Sequence, residues 1–225
     1  MVWQLRYLPT MSLPAPVLHA WQHTSTSTAR TVVLPDGCCD LILRAPPGQR
    51  PYWFVTPLAD AAYDVPGTVG EQFWGFRLQP GACIDEATLL AALQARPLRD
   101  AHDALPWLDA CVRVDARVDQ ALHSLSVSTS VAAAARQLGV AERTLQRLVL
   151  GATGRQPAYW KCLARIRRAA ASLAHTPSLA ACAADHGFAD QAHMTREFQR
   201  WLGRTPSALL ASADVLAVVV ASGYA

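Results

Sequence analysis

Two stretches of this 225-residue chain concentrate side chains that recognise rather than react. The first holds Arg143, Gln146 and Arg147. The second, about 48 residues on, holds Gln191, Ala192, His193, Thr195 and Arg196. Guanidinium, amide, imidazole and hydroxyl groups donate to base edges and phosphate oxygens, so both stretches are candidates for contact with double-stranded DNA. A single arginine on an exposed helix is usually just solvated; the recurrence of the set is the stronger signal.

Bond-making chemistry finds less support. His19 and His23 are four residues apart, which would suit chelation on a helix, but Pro14 and Pro16 precede them and Thr and Ser follow. A metal-dependent oxygenase would want a close His-x-His pair with a nearby Glu, and the nearest is Glu71. The six cysteines include no CxxC, and Cys38 and Cys39, neighbours on an expected strand, would point to opposite faces. No catalytic residue, metal or cofactor is expected. The thiols read as buried or incidental, in a chain large enough to fold without disulfides. A metal- or thiol-dependent sensor or enzyme fused to a DNA-binding module is the alternative.

The elements that would position the recognition residues are repeated. Ser130, Val131, Ala135, Gly139 and Val140 recur as Ser178, Leu179, Ala183, Gly187 and Phe188, and then Leu145, Arg147 and Val149 recur as Met194, Arg196 and Phe198. Such self-similarity marks an internal duplication. Each copy has helix-turn-helix layout: a serine N-cap, a small residue where two helices cross, a glycine for a tight turn and an apolar anchor in the second helix. Between the copies, Tyr159, Leu163, Ile166, Ala170 and Leu173 form one apolar stripe, with Lys161, Arg165 and Arg168 off it. A helix over 156–175 would be about 30 Å long, close to the ~34 Å of one DNA turn, so both copies could enter successive major grooves.

Charge supports that placement. Residues 126–213 hold 11 basic and four acidic side chains, a net +7, inside a chain of net +3. A basic half is a candidate polyanion binder. Lys161 is the one lysine, and an arginine bias follows equally from guanidinium recognition or from a GC-rich genome. With 52% apolar residues the chain should fold as a globule, and no apolar run reaches the ~18 residues of a membrane span. Residues 1–16 lack the apolar centre of a secretory signal, so a cytoplasmic protein is expected.

The front half carries most of the aromatics and reads as β. Residues 31–34 and 38–43 around Pro35-Asp36-Gly37 suggest a hairpin, with further strands over 52–56 and 72–78. The fold class expected is α+β: an N-terminal β-sandwich or barrel-like domain (1–82), a helical connector (83–114), an all-α domain with two helix-turn-helix motifs (115–213) and an apolar tail (214–225) that packs on the body or on a neighbouring subunit. Residues 124–130 read as a linker. Trp21, Trp53, Phe73 and Trp74 could line an apolar effector pocket with Arg77 for a carboxylate, although buried aromatics are more often plain core. Alternatively, the front half serves to form a homodimer.

The motifs Gly139-Val140-Ala141-Glu142-Arg143-Thr144-Leu145-Gln146-Arg147, Gly187-Phe188-Ala189-Asp190-Gln191-Ala192-His193-Met194-Thr195-Arg196-Glu197-Phe198 and Gly203-Arg204-Thr205-Pro206-Ser207 resemble the DNA-binding domain of AraC/XylS-type bacterial transcription regulators over about 115–211. The resemblance implies base-edge contacts at Arg143, Gln146, Arg147, Gln191, Ala192, His193, Thr195 and Arg196, and RNA polymerase as a partner if the protein activates. The closing helix, Ala208-Leu209-Leu210-Ala211, lacks the Tyr-Arg pair common there. Leu34-Pro35-Asp36-Gly37-Cys38-Cys39-Asp40-Leu41-Ile42 and Gly75-Phe76-Arg77-Leu78-Gln79-Pro80-Gly81 resemble the short sensory or dimerisation domain of one branch of that family.

Overall fold

Alternating apolar and polar side chains in the front half produce antiparallel sheet, and helical periodicity takes over after Gly81. The structure, a computed structural model, describes residues 6–7, 13–95, 100–221 and 223–225; the expectation for residues 1–16 lies largely outside them. The main sheet runs in the order β1 (Arg6–Tyr7), β2 (Val17–Thr24), β7 (Gln72–Leu78), β4 (Asp40–Ala45), β5 (Tyr52–Val55), all antiparallel. A ribbon pairs β3 (Thr31–Val33) with β6 (Tyr63–Val65), and a second pairs β8 (Cys83–Ile84) with β9 (Val112–Arg113).

The Pro35-Asp36-Gly37 hairpin is not formed. The turn exists, with Asp36 accepting from the Cys38 N–H at 2.9 Å, but β3 pairs with β6 and β4 with β5 and β7. The apolar residue ahead of the turn explains the difference: Leu34 is buried in the core of the helical portion, so the chain leaves one sheet, touches the helices and enters another. Cys38 and Cys39 lie just ahead of β4 rather than on a strand.

Each face of the main sheet has its own buried cluster. Leu43 stands opposite both Trp53 and Trp74, and with Val17, Ala20, Leu41, Phe76 and Leu78 this face packs on α1 (Glu86–Gln94) and α2 (Leu105–Cys111) through Leu89, Leu93 and Leu108. The other face gathers Trp21, Ile42 and Phe73. Trp21 lies flat on Gly75, where an added Cβ would come within 2.0 Å of the indole, so no other residue fits there.

Asp115 caps α3 (Ala116–Val127) by accepting from the Arg117 N–H. This helix takes up most of the expected linker, because Ser124 is not a linker serine: its hydroxyl is buried and donates to the Ala134 carbonyl at 3.3 Å. There follow α4 (Val131–Gln137), α5 (Glu142–Thr153), α6 (Pro157–Ser172), α7 (Leu179–Asp185), α8 (Gln191–Leu202), α9 (Pro206–Leu210) and α10 (Ala213–Val220). The α6 stripe is wider than expected. Trp160, Ala164, Arg167 and Ala169 are buried as well, since α3 and α10 both pack on this helix. An antiparallel β portion followed by an all-helical portion is therefore the architecture. The two meet where Ala62 N–H donates to the Trp201 carbonyl (2.8 Å), Tyr159 OH to the Ala59 carbonyl (2.9 Å) and Arg155 to the Leu58 carbonyl (2.6 Å) and Asp60 (2.9 Å).

Candidate nucleic-acid interface

The duplicated motif folds twice in the same way. Ser130 accepts from the Ala133 N–H at 3.0 Å and Ser178 from the Ala181 N–H at 3.1 Å, capping α4 and α7. Ala135 and Ala183 are 2% and 1% exposed where the second helix crosses. Gly139 and Gly187 adopt φ of +66° and +68°, which only glycine takes without strain. After each turn, the Val140 N–H donates to the Ala135 carbonyl (3.0 Å) and the Phe188 N–H to the Ala183 carbonyl (2.9 Å). Leu145 and Met194 then anchor α5 and α8 in one core.

With those anchors inside, the candidate contacts lie on the outer face of each second helix. Arg143, Arg147 and Arg196 are exposed, and among the described residues none has a hydrogen-bond or ion-pair partner in the chain. Gln191 and Ala192 are exposed, the latter offering a methyl of the kind that meets thymine. Three candidates are already engaged. Gln146 donates to Glu142 (3.1 Å), and Thr195 donates to the Gln191 carbonyl (2.9 Å), which leaves its hydroxyl an acceptor. His193 Nδ1 accepts from the Ala189 N–H (3.2 Å) with its ring edge-on to Phe188, so in the neutral ring Nε2 carries the proton and is a donor.

Between the units, α6 is 16 residues long and a 3-10 turn, Leu173–His175, completes the rod. At about 1.5 and 2.0 Å per residue the whole spans about 30 Å. The stripe reading missed Arg165. Its guanidinium lies 4.5 Å from the Phe188 ring centre, donates to the Gly187 carbonyl at 3.4 Å and approaches Glu197 at 4.0 Å, bracing the second turn against α6. The repeat also begins earlier than the helix-turn-helix itself. Ala116, Val118, Ala121, Ser124 and Leu125 recur 48 residues later as Ala164, Ile166, Ala169, Ser172 and Leu173. Ser124 reaches Ala134 and Gln137, while Ser172 reaches Cys182 (3.6 Å), the counterpart of Ala134, and His186 (2.7 Å), one residue beyond the counterpart of Gln137. Each unit therefore has three helices, α3–α4–α5 and α6–α7–α8, and the spacing that revealed two of them carried the third. Burial, and after it Arg168, lowers the pKa of His186 in this contact.

The five candidate effector residues do not converge. Trp53 and Trp74 face α1 and α2, while Trp21, Phe73 and Arg77 share the opposite face. Arg77 bridges two carboxylates, Asp36 at 2.8 Å and Asp40 at 3.2 Å, and Trp21 donates to Asp40 at 2.9 Å. Burial works against the Arg77 charge, but Asp40 and Asp36 outweigh it and the proton is held more firmly than usual. Burial also raises the Asp36 pKa, with Arg77 pulling it partly back. Folded Asp36 thus binds a proton more tightly than unfolded Asp36, a contribution that lowers stability as pH rises through the folded value. Arg77→Gln should enlarge that effect. The expected loss is about 3 kcal/mol at pH 7, narrowing at pH 5; denaturant titrations giving the same gap at both pH values would show that Asp36 does not depend on Arg77.

A cleft of about 310 Å³ lies elsewhere, between the β portion and the end of α5, lined by Gly37, Cys39, Leu58, Gln79, Thr153 and Arg155 among others. Burial, then Asp40, pushes the Cys39 thiol up to about 11, so it stands there as a neutral thiol. All six cysteines are free, with Cys83 exposed. Among the described residues no group of three or more His, Cys, Asp and Glu is placed to hold a metal ion, and no helix is long and apolar enough to cross a membrane.

Two equivalent three-helix units, each with a glycine turn and an arginine-bearing second helix, build a double helix-turn-helix portion. Residues 134–212 match the family model described as a helix-turn-helix domain. Over 79 residues the chain is 42% identical to the HTH-type transcriptional regulator RipA of Corynebacterium glutamicum, a match covering 35% of this chain and 24% of RipA. It thus spans about a quarter of that relative's length. Among solved structures, the DNA-binding domain of AdpA in complex with a target DNA is 28% identical, covering 43% of this chain and 89% of that one at a TM-score of 0.37. ToxT from Vibrio cholerae O395 is 10% identical, covering 85% of this chain and 95% of that one at a TM-score of 0.41.

Proposed function

We propose that the protein is a sequence-specific DNA-binding transcription regulator. The carrying observation is the pair of identically built turns, each followed by a helix with an exposed arginine, Arg147 or Arg196, that has no hydrogen-bond or ion-pair partner among the described residues. In this reading phosphate contacts set the register, and Arg143, Gln146 and Arg147 on α5, with Gln191, Ala192, His193, Thr195 and Arg196 on α8, read bases in successive major grooves. The β portion is the sensory or dimerisation part. A small-molecule effector, a second copy of the chain and, for an activator, RNA polymerase are its proposed partners, and the place of action is the cytoplasm.

Selection of bound sequences from a random duplex pool tests the reading. Two enriched half-sites about 10 base pairs apart are expected, since the rod is about 30 Å and a turn of DNA ~34 Å. A pool that stays random after repeated rounds would refute sequence-specific binding. On the selected site, log affinity should fall linearly with log salt, with a slope of about −0.9 per phosphate contacted. A flat salt response would mean that the +7 segment meets no phosphates.

A further inference from the structure

We infer that α10, with Ala221 and Tyr224 beyond it, is a strap that fastens the β portion to the DNA-binding helices, and that Asp36 is its catch. Val215 and Val219 of α10 are buried against α6. Beyond them, the Ala221 carbonyl accepts from Arg167 at 2.7 Å. Tyr224 then makes three attachments. Its hydroxyl donates to the Leu122 carbonyl in α3 (2.7 Å), its ring stands edge-on to Trp160 of α6 (4.9 Å, 81°), and its N–H donates to the Asp36 carbonyl in the β portion (2.8 Å). The fit is close: a Cβ on Gly37 would lie 2.7 Å from the Cβ of Tyr224.

The catch is tied to the sheet. The Asp36 carboxylate pairs with Arg77, Arg77 with Asp40, and Asp40 accepts from Trp21. Contacts therefore run from the sheet face of Trp21 and Arg77, through Asp36 and Tyr224, to α3 by a hydrogen bond and to α6 by the Trp160 ring, the first helices of the two DNA-binding units. The strap is also built to release. Its helix has eight residues and no side-chain cap at Ser212, and Val220 is 48% exposed; a helix so short persists only while docked. Whatever repositions Arg77 repositions Asp36 and loosens Tyr224. This inference goes beyond the proposed function, and its test needs no DNA.

Amide hydrogen exchange followed by NMR on the full chain provides that test. Arg77→Gln should accelerate exchange of the Tyr224 amide and of amides in 216–221 at least tenfold, while those of α7 and α8 keep their protection. Tyr224→Ala should accelerate the Cys38 amide, which Asp36 accepts, to a similar degree. If Arg77→Gln does not fold, Asp36→Asn removes the ion pair and leaves the carbonyl for Tyr224; the same acceleration is then expected at 216–221 and at Tyr224. Unchanged exchange in the strap when the ion pair is lost, or at Cys38 when Tyr224 is truncated, would overturn the inference. A chain that passes this test yet binds no DNA would refute the proposed function and leave the strap standing.

Discussion

Replacing Arg147 and Arg196 together by alanine should weaken binding to the selected DNA site by about 2–6 kcal/mol, while affinity for random DNA falls far less. Each arginine is exposed, has no hydrogen-bond or ion-pair partner among the described residues and sits at the same place in its unit, so removal leaves the fold intact and strips one donor fork from each groove. A side chain that reads a base is worth about 1–3 kcal/mol, and the two units are far enough apart for their effects to add. The single variants should each give about half the loss and relax selection at different half-sites. Discrimination is the deciding measurement. Were the double variant to lose the same affinity on random and selected DNA, both arginines would be phosphate contacts, and base reading would rest on Arg143, Gln146, Gln191, Ala192, His193 and Thr195.

Trp160→Ala should cost about 3–5 kcal/mol of unfolding free energy, the range for emptying a large aromatic site. Trp160 is 0% exposed. Its ring meets Tyr159 at 5.3 Å and Tyr224 at 4.9 Å, both edge-on, and its Nε1 donates to Thr153 at 3.1 Å. Gly37 backs onto the same ring from the β portion. One truncation therefore opens a cavity bordered by α6, the end of α5, the strap and the β portion, with few neighbours free to collapse into it. Equilibrium denaturation of the two proteins measures the difference. A loss below about 1 kcal/mol would mean that the neighbours do close over the site and that the ring is dispensable to the junction.

How much of this was legible in the sequence depends on the range of the interaction. Caps and turns are local, and Ser130, Ser178, Gly139, Gly187 and Asp115 do what their types predict. The 48-residue repeat revealed both turns. It extended unnoticed to α3 and α6, because their shared residues are mostly Ala and Leu, which any helix would carry. The hairpin at Pro35-Asp36-Gly37 misled for the opposite reason: its turn chemistry is correct, but strand pairing is decided by partners 20 to 40 residues away, at Tyr63–Val65 and Gln72–Leu78. The effector residues failed to converge because period-two alternation separates Phe73 from Trp74 across a sheet with buried side chains on both faces. Contacts between the two portions, such as Tyr159 with Ala59, leave no trace in local pattern at all.

The place of α6 has a mechanical consequence. One helix opens the second unit and packs on all three helices of the first, so the spacing between the two proposed reading units is set by that packing. Adding a single residue within it would turn the second unit by about 100° relative to the first as well as shifting it by 1.5 Å. The two reading heads are thus keyed to one shaft, and an operator with the wrong phasing between its halves has to bend or twist to be gripped, since the protein has no slack to offer it.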